Sequence, residues 1–180
     1  LLRQLGADNQ EFVQAYGVGY LPKGYSQSLP ISCRSMLRAD LANSSIVVPA
    51  YDERGEIVDL FLARGIREKK SIWGIHSDRR GLVAPKVCTA YDSIIVTERF
   101  EAAARTFAAG NWNVLLLRGI EDAKNNAQRL YQSGVRKVVV ACQLFETANG
   151  IAAVLGAAGI SVEAVSLPRT KIIVPPTGRT

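Results

Sequence analysis

The sequence predicts an α/β protein in two parts. A small α+β segment over residues 1–90 is followed by a mainly parallel four-stranded sheet flanked by helices over 91–168, with a basic, Pro-rich tail or linker at 169–180. Three observations carry this. Residues 93–166 alternate four short apolar runs with three helix-length stretches, and crossovers of that length join parallel strands with a right-handed connection. Residues 46–64 place two apolar runs on either side of the turn tetrad Asp52-Glu53-Arg54-Gly55, the pattern of a hairpin. Composition is close to half apolar with mean hydropathy near zero, which describes a folded, soluble chain with a sizeable core.

The elements follow in order. Leu1, Leu2, Leu5, Phe12, Val13 and Tyr16 recur at helical spacing over residues 1–19, interrupted at Gly6; Asp8 or Asn9 can cap the second helix, and Gly17 ends it. Pro22, Gly24 and Pro30 make 21–32 a loop, and 36–42 fits a short helix. Strands are expected at 46–50 and 56–64, a third at 71–75, and a polar turn at 78–82. The change from antiparallel to βαβ character places a boundary near 87–91. Beyond it, strands are expected at 93–97, 113–117, 137–141 and 161–166. Helices fill 100–109, 121–133 and 147–158, closed by Gly110, Gly134 and Gly159, and Pro168 stops the last strand.

No apolar run reaches membrane-spanning length, and the first ten residues lack the charged and apolar regions of a secretory leader. A cytoplasmic protein is the expectation. The missing initiator Met suggests a piece of a longer chain. Cys33, Cys88 and Cys142 are far apart and His76 is the lone histidine, which argues against structural zinc and against a disulfide framework. Cys142, at the end of an apolar strand, reads as a small buried hydrophobe rather than a nucleophile.

Formal net charge is +6, and the excess is local. Arg64, Arg67, Lys69, Lys70, Arg79, Arg80 and Lys86 fall between residues 61 and 90 against only Glu68 and Asp78, and the tail adds Arg169, Lys171 and Arg179 with no acid. A polyanion partner and a merely solvated basic face both fit this. Trp73 lies inside the basic stretch and could stack on a base; Trp112, just before a strand, fits packing.

The first strand of the second part ends at an acid, Glu98. In an alternating β/α sheet that position is the carboxyl rim, where ligands bind. The third strand should reach the same rim, and there the chain reads Cys142-Gln143-Leu144-Phe145-Glu146. Glu98 is therefore a candidate catalytic or metal-binding acid, with Glu146 the candidate second ligand. The competing role for Glu98 is an acid at a helix start, satisfying free amides and the helix dipole.

With those pieces placed, nearly the whole chain resembles the catalytic core of bacterial and phage-type DNA primases, a small N-terminal subdomain followed by a TOPRIM domain. LGADNQEFVQAYGVGYLPKG is similar to the helical lead-in and IVVPAYDERGEIVDLFLARGI to a hairpin whose second strand ends at an arginine, here Arg64. KKSIWGIHSDRRGL resembles a basic region in which Lys70, Arg79 and Arg80 hold the basic positions. SIIVTERFEAAARTFAAGNWNVLLLRG resembles the TOPRIM opening, with Glu98 as its acid and Gly119 as the glycine after the second strand. The resemblance implies single-stranded DNA as partner, a helicase or other replication protein as a further partner, and Mg²⁺ as cofactor if the site is catalytic.

The departures concern that metal. The family pattern has glycine after the first acid and an aspartate four positions on; Arg99 and Ala102 stand there. An Asp-x-Asp pair ends its third strand; CQLFETANG stands there, with Glu146 as its one acid. Phosphoryl transfer needs Mg²⁺ held by carboxylates, and Glu98 beside the positive charge of Arg99 is a weak start for such a site. Glu101 and Asp122 are the other acids that could approach it. No confident cofactor follows from the residues themselves. The sequence favours a primase-like TOPRIM module that binds nucleic acid through Arg64, Lys69, Lys70, Arg79, Arg80 and Trp73 with catalysis lost or impaired. An active primase core, a protein-interaction module and an unrelated α/β small-molecule protein are the alternatives. The last of these lacks a GxGxxG or P-loop motif.

Overall fold

A computed structural model describes residues 9–21, 45–51, 56–63, 73–74, 92–111 and 113–167. The helix expected at 36–42, the turns at 52–55 and 78–82, the boundary at 87–91 and the tail at 169–180 lie outside these residues.

The first helix, α1 (Gln10–Tyr16), starts where a capping residue allows it. The Asn9 side chain accepts from the backbone N–H groups of Glu11 and Phe12. It stops at Gly17, whose φ of 63° is left-handed and whose N–H returns to the last turn. A Cβ at Gly17 would also stand 2.6 Å from the Tyr51 hydroxyl, so both backbone and space call for glycine there.

An antiparallel sheet follows, built from β1 (Gly19–Leu21), β2 (Ser45–Tyr51), β3 (Ile57–Ala63) and β4 (Trp73–Gly74) in that spatial order. β2 and β3 are the expected hairpin, with a bulge at Ala50/Tyr51, and β4 lies within the expected third strand. β1 is a strand where the sequence suggested the end of a helix and a loop. Among the described residues its pairing stops at Gly19–Val47, short of Pro49.

The second sheet is wholly parallel and comprises β5 (Ser93–Thr97), β6 (Val114–Leu116), β7 (Lys137–Cys142) and β8 (Ser161–Ser166), in the order β6-β5-β7-β8. The crossovers are α2 (Phe100–Ala108), α3 (Ile120–Gln132) and α4 (Phe145–Ala157). The chain steps from β5 to one side, then returns past it to β7, which makes the gap between β5 and β7 the topological switch point.

Alternation along the strands builds two cores. Ile94, Val96, Leu115, Leu117, Val138 and Val140 pack against Ala123, Ala127 and Leu130 of α3 and Ile151 and Leu155 of α4. The second core joins both halves of the chain. Phe100, Ala104 and Phe107 of α2 and Leu116 of β6 bury Phe12 and Tyr16 of α1 with Ile46, Val48 and Ala50 of β2. The Tyr16 hydroxyl donates to the Val114 carbonyl at the edge of the parallel sheet, and Arg129 donates to the Tyr51 carbonyl at 3.2 Å.

Candidate functional site

The carboxyl ends of β5, β6 and β7 set out the candidate site. β5 ends at the buried Thr97, and Glu98 and Arg99 follow before α2 begins. β7 ends at the buried Cys142, followed by Gln143 and then α4. In the parallel register Thr97 lies opposite Ala141, so Glu98 is level with Cys142 and diagonal to Gln143 across the switch point.

This register produces a chain of polar contacts. The Gln143 N–H donates to Glu98 Oε1 at 2.9 Å. The Gln143 side-chain carbonyl accepts from Arg99 Nη1 at 2.8 Å. Arg99 Nε then lies 3.6 Å from Glu101 Oε2, an oxygen shut off from solvent that accepts no hydrogen bond. The Arg99 guanidinium thus sits between the Gln143 amide and the Glu101 carboxylate, with Glu98 tied to β7 by a backbone donor.

Cys142 feels this environment. Burial, and secondarily the negative charge of Glu98, push its thiol from the ordinary 9.0 up to about 12. It is buried and protonated, the inert state expected of a packed cysteine.

At the end of β6, Gly119 takes φ 147°, an extended left-handed conformation open to glycine, and turns the chain into α3. Arg118 folds back on Asp122 through a fork: Nε to Oδ2 at 2.6 Å and Nη2 to Oδ1 at 3.0 Å. The Arg118 N–H adds a third bond to Oδ2 at 3.1 Å. Both side chains are largely buried. Asp122 is therefore committed to Arg118.

α4 starts at Phe145, two residues before the expected start at Thr147, which puts Glu146 in its first turn, exposed. Leu144 and Phe145 are exposed at the start of the same helix, by 52% and 59%, so an apolar surface occupies the rim after β7. Arg64, Lys69, Lys70, Arg79 and Arg80 lie outside the described residues, and Trp73 is placed only by its backbone, in β4. Sequence reasoning placed Gln143 on the rim and Asp122 among the acids but missed their partners: Asp122 is taken by Arg118 at i,i+4 spacing, and Gln143, which has no spacing signature, is brought to Glu98 by strand register alone.

A divalent ion does not fit this donor set. One oxygen of Glu98 is spent on an amide, the neighbouring side chain is a guanidinium, and the residue level with Glu98 is a buried cysteine rather than a carboxylate. Among the described residues no group of three His, Cys, Asp or Glu side chains gathers to hold a metal. No described helix is long and apolar enough to cross a membrane.

No family model matches the chain, and no curated protein matches it in sequence. Comparison with solved structures is informative. The Aquifex aeolicus primase, in a structure of its zinc-binding and RNA polymerase domains, superposes with a TM-score of 0.66 at 17% identity, over 93% of this chain and 48% of that one. The Escherichia coli primase catalytic core gives 0.67 at 16% identity, over 94% and 64%. A DnaG primase catalytic domain solved bound to single-stranded DNA gives 0.68 at 14% identity, over 94% and 65%. The chain spans about half to two thirds of the length of these structures. Its antiparallel sheet, parallel β6-β5-β7-β8 sheet and the helices between them are the fold of the bacterial DNA primase catalytic core.

Proposed function

We propose that this chain is a primase-like TOPRIM module that binds single-stranded DNA through a basic face on its N-terminal segment, residues 1–90, and that its primer-synthesising chemistry is lost or impaired. The observation that carries the reading is the shared fold with primase catalytic cores, one of them solved on single-stranded DNA. The local excess of Arg64, Lys69, Lys70, Arg79 and Arg80 supports it, since a cluster of that kind neutralises phosphates without reading sequence. Trp73 is the proposed base-stacking residue. The guanidinium at the switch point and the engaged Glu98 support the loss of Mg²⁺-dependent catalysis. A replication setting in the cytoplasm follows from this reading, with a helicase or another replication protein as the further partner.

Fluorescence anisotropy with a labelled oligothymidine tests it. Binding is expected at low salt and weakens as salt rises, each contacted phosphate adding about 0.7 to the log–log slope. Arg79→Glu with Arg80→Glu should weaken binding to all base sequences alike. A template-directed assay with Mg²⁺ and nucleoside triphosphates should show no incorporation. Absence of binding at low salt would remove the nucleic-acid reading in favour of a protein partner, and robust incorporation would restore the active primase.

A further inference from the structure

We infer that the Arg99 guanidinium is the resident cation of the switch-point crevice, a side-chain charge that occupies the place a divalent ion would take. The inference deepens the reading of a catalytically silent centre, and it does not depend on DNA binding. Two carboxylates, Glu98 and Glu101, stand within three residues of each other at the carboxyl end of β5 and in the first turn of α2. A positive charge beside such acids is favourable. Arg99 supplies it from between them in sequence. It faces the buried Glu101 oxygen at 3.6 Å, and its Nη1 bond to Gln143 anchors it on the opposite wall of the crevice. Gln143 completes the closure, because the same residue takes Arg99 on its side chain and engages Glu98 through its backbone. A dication approaching Glu98 meets a fixed like charge and a carboxylate with one oxygen already engaged. A guanidinium also gives no exchangeable site for a phosphate oxygen to enter, whereas Mg²⁺ keeps open positions. The crevice is closed by charge and by tether, not by a lack of carboxylates alone.

This makes the closure reversible by substitution. Arg99→Gly combined with Gln143→Asp removes the charge and places a carboxylate diagonal to Glu98, directly after β7. Mn²⁺ titration, read by calorimetry and by the electron paramagnetic resonance signal of free Mn²⁺, separates the possibilities. Wild type and Arg99→Lys, which keeps the charge, should bind Mn²⁺ weakly and alike. The double variant should bind at least about tenfold more tightly, the combined effect of relieving one close charge repulsion and adding a carboxylate. Adding Glu98→Gln to it should abolish the gain. Circular dichroism and a thermal melt establish that each variant is folded. Should the double variant be unfolded, Arg99→Gln, neutral and still able to hydrogen-bond Gln143, should show a Glu98-dependent gain in the same direction. Tight Glu98-dependent Mn²⁺ binding by wild type would overturn the inference, as would charge-free, folded variants that bind no better than wild type. Failure of the wild type to bind DNA would leave this result standing and remove only the nucleic-acid reading.

Discussion

Cys142 shows how far one residue reports on the site. Its thiol is pushed up to about 12 by burial and by Glu98, whereas an unfolded chain titrates it near 9.0. Above pH 9 the unfolded state loses a proton that the folded state keeps. The folded state then binds more protons, so stability falls as pH rises, from about 9 until the folded thiol itself ionises near 12. The largest slope this one group can add is about 1.4 kcal/mol per pH unit. Urea melts of wild type and Cys142→Ala at pH 8, 9 and 10 should differ in slope, with the alkaline decline shallower in the variant. Equal slopes would mean that the thiol ionises as freely folded as unfolded. The same residue marks what the sequence could and could not say about the site. Glu98 was legible because an acid directly after an apolar run, in a β/α alternation, has one place to go. The engagement of Glu98 by Gln143 was not, because it joins residues 45 positions apart and depends on the offset that pairs Thr97 with Ala141. A one-residue shift in that register would bring a different residue of the 142–144 run beside Glu98.

At the scale of elements, legibility followed the strength of the periodic signal. The parallel strands and α2–α4 were readable because short apolar segments alternate with helix-length stretches closed by Gly110, Gly134 and Gly159. β1 was not, because three residues carry no pattern of their own; β1 exists through its pairing with β2. The start of α4 was placed late because its N-cap, Leu144, has no capping side chain to announce it. α1 was readable from Asn9 and Gly17, but its importance was not. Seven residues make a marginal helix alone. It holds because Phe12 lies 4.4 Å from the Tyr16 ring, and 5.4 Å and 5.5 Å from those of Phe100 and Phe107, in tilted and edge-on contacts. Phe12→Ala leaves a cavity among three aromatic rings and should cost about 3–5 kcal/mol in a denaturant melt. A loss under about 1 kcal/mol, the level of an ordinary surface substitution, would show that α1 is an appendage to the fold.

The whole molecule is held by the core that those rings begin. One sheet is antiparallel and the other parallel, and among the described residues no hydrogen-bond ladder joins them. What joins them is side-chain packing. Ile46, Val48 and Ala50 of β2 share a buried cluster with Phe100, Phe107 and Leu116. The Tyr16 hydroxyl satisfies a carbonyl of β6, and Arg129 of α3 reaches the end of β2. If either half unfolded alone, the other would expose this apolar surface, and the carbonyl of Val114 would lose its partner. The two halves should therefore unfold together, although chains of this length often pass through intermediates. Trp73 lies in the antiparallel sheet and Trp112 just ahead of β6, so intrinsic fluorescence samples both halves while far-ultraviolet circular dichroism follows the helices of the second. Equilibrium urea transitions read by the two probes should coincide in wild type. Tyr16→Phe, which keeps the ring and removes the hydroxyl, should move both midpoints down by the same amount. Two separated midpoints, or a Tyr16→Phe shift confined to one probe, would show that the halves are independent and that the shared core is a contact rather than the structural centre of the molecule.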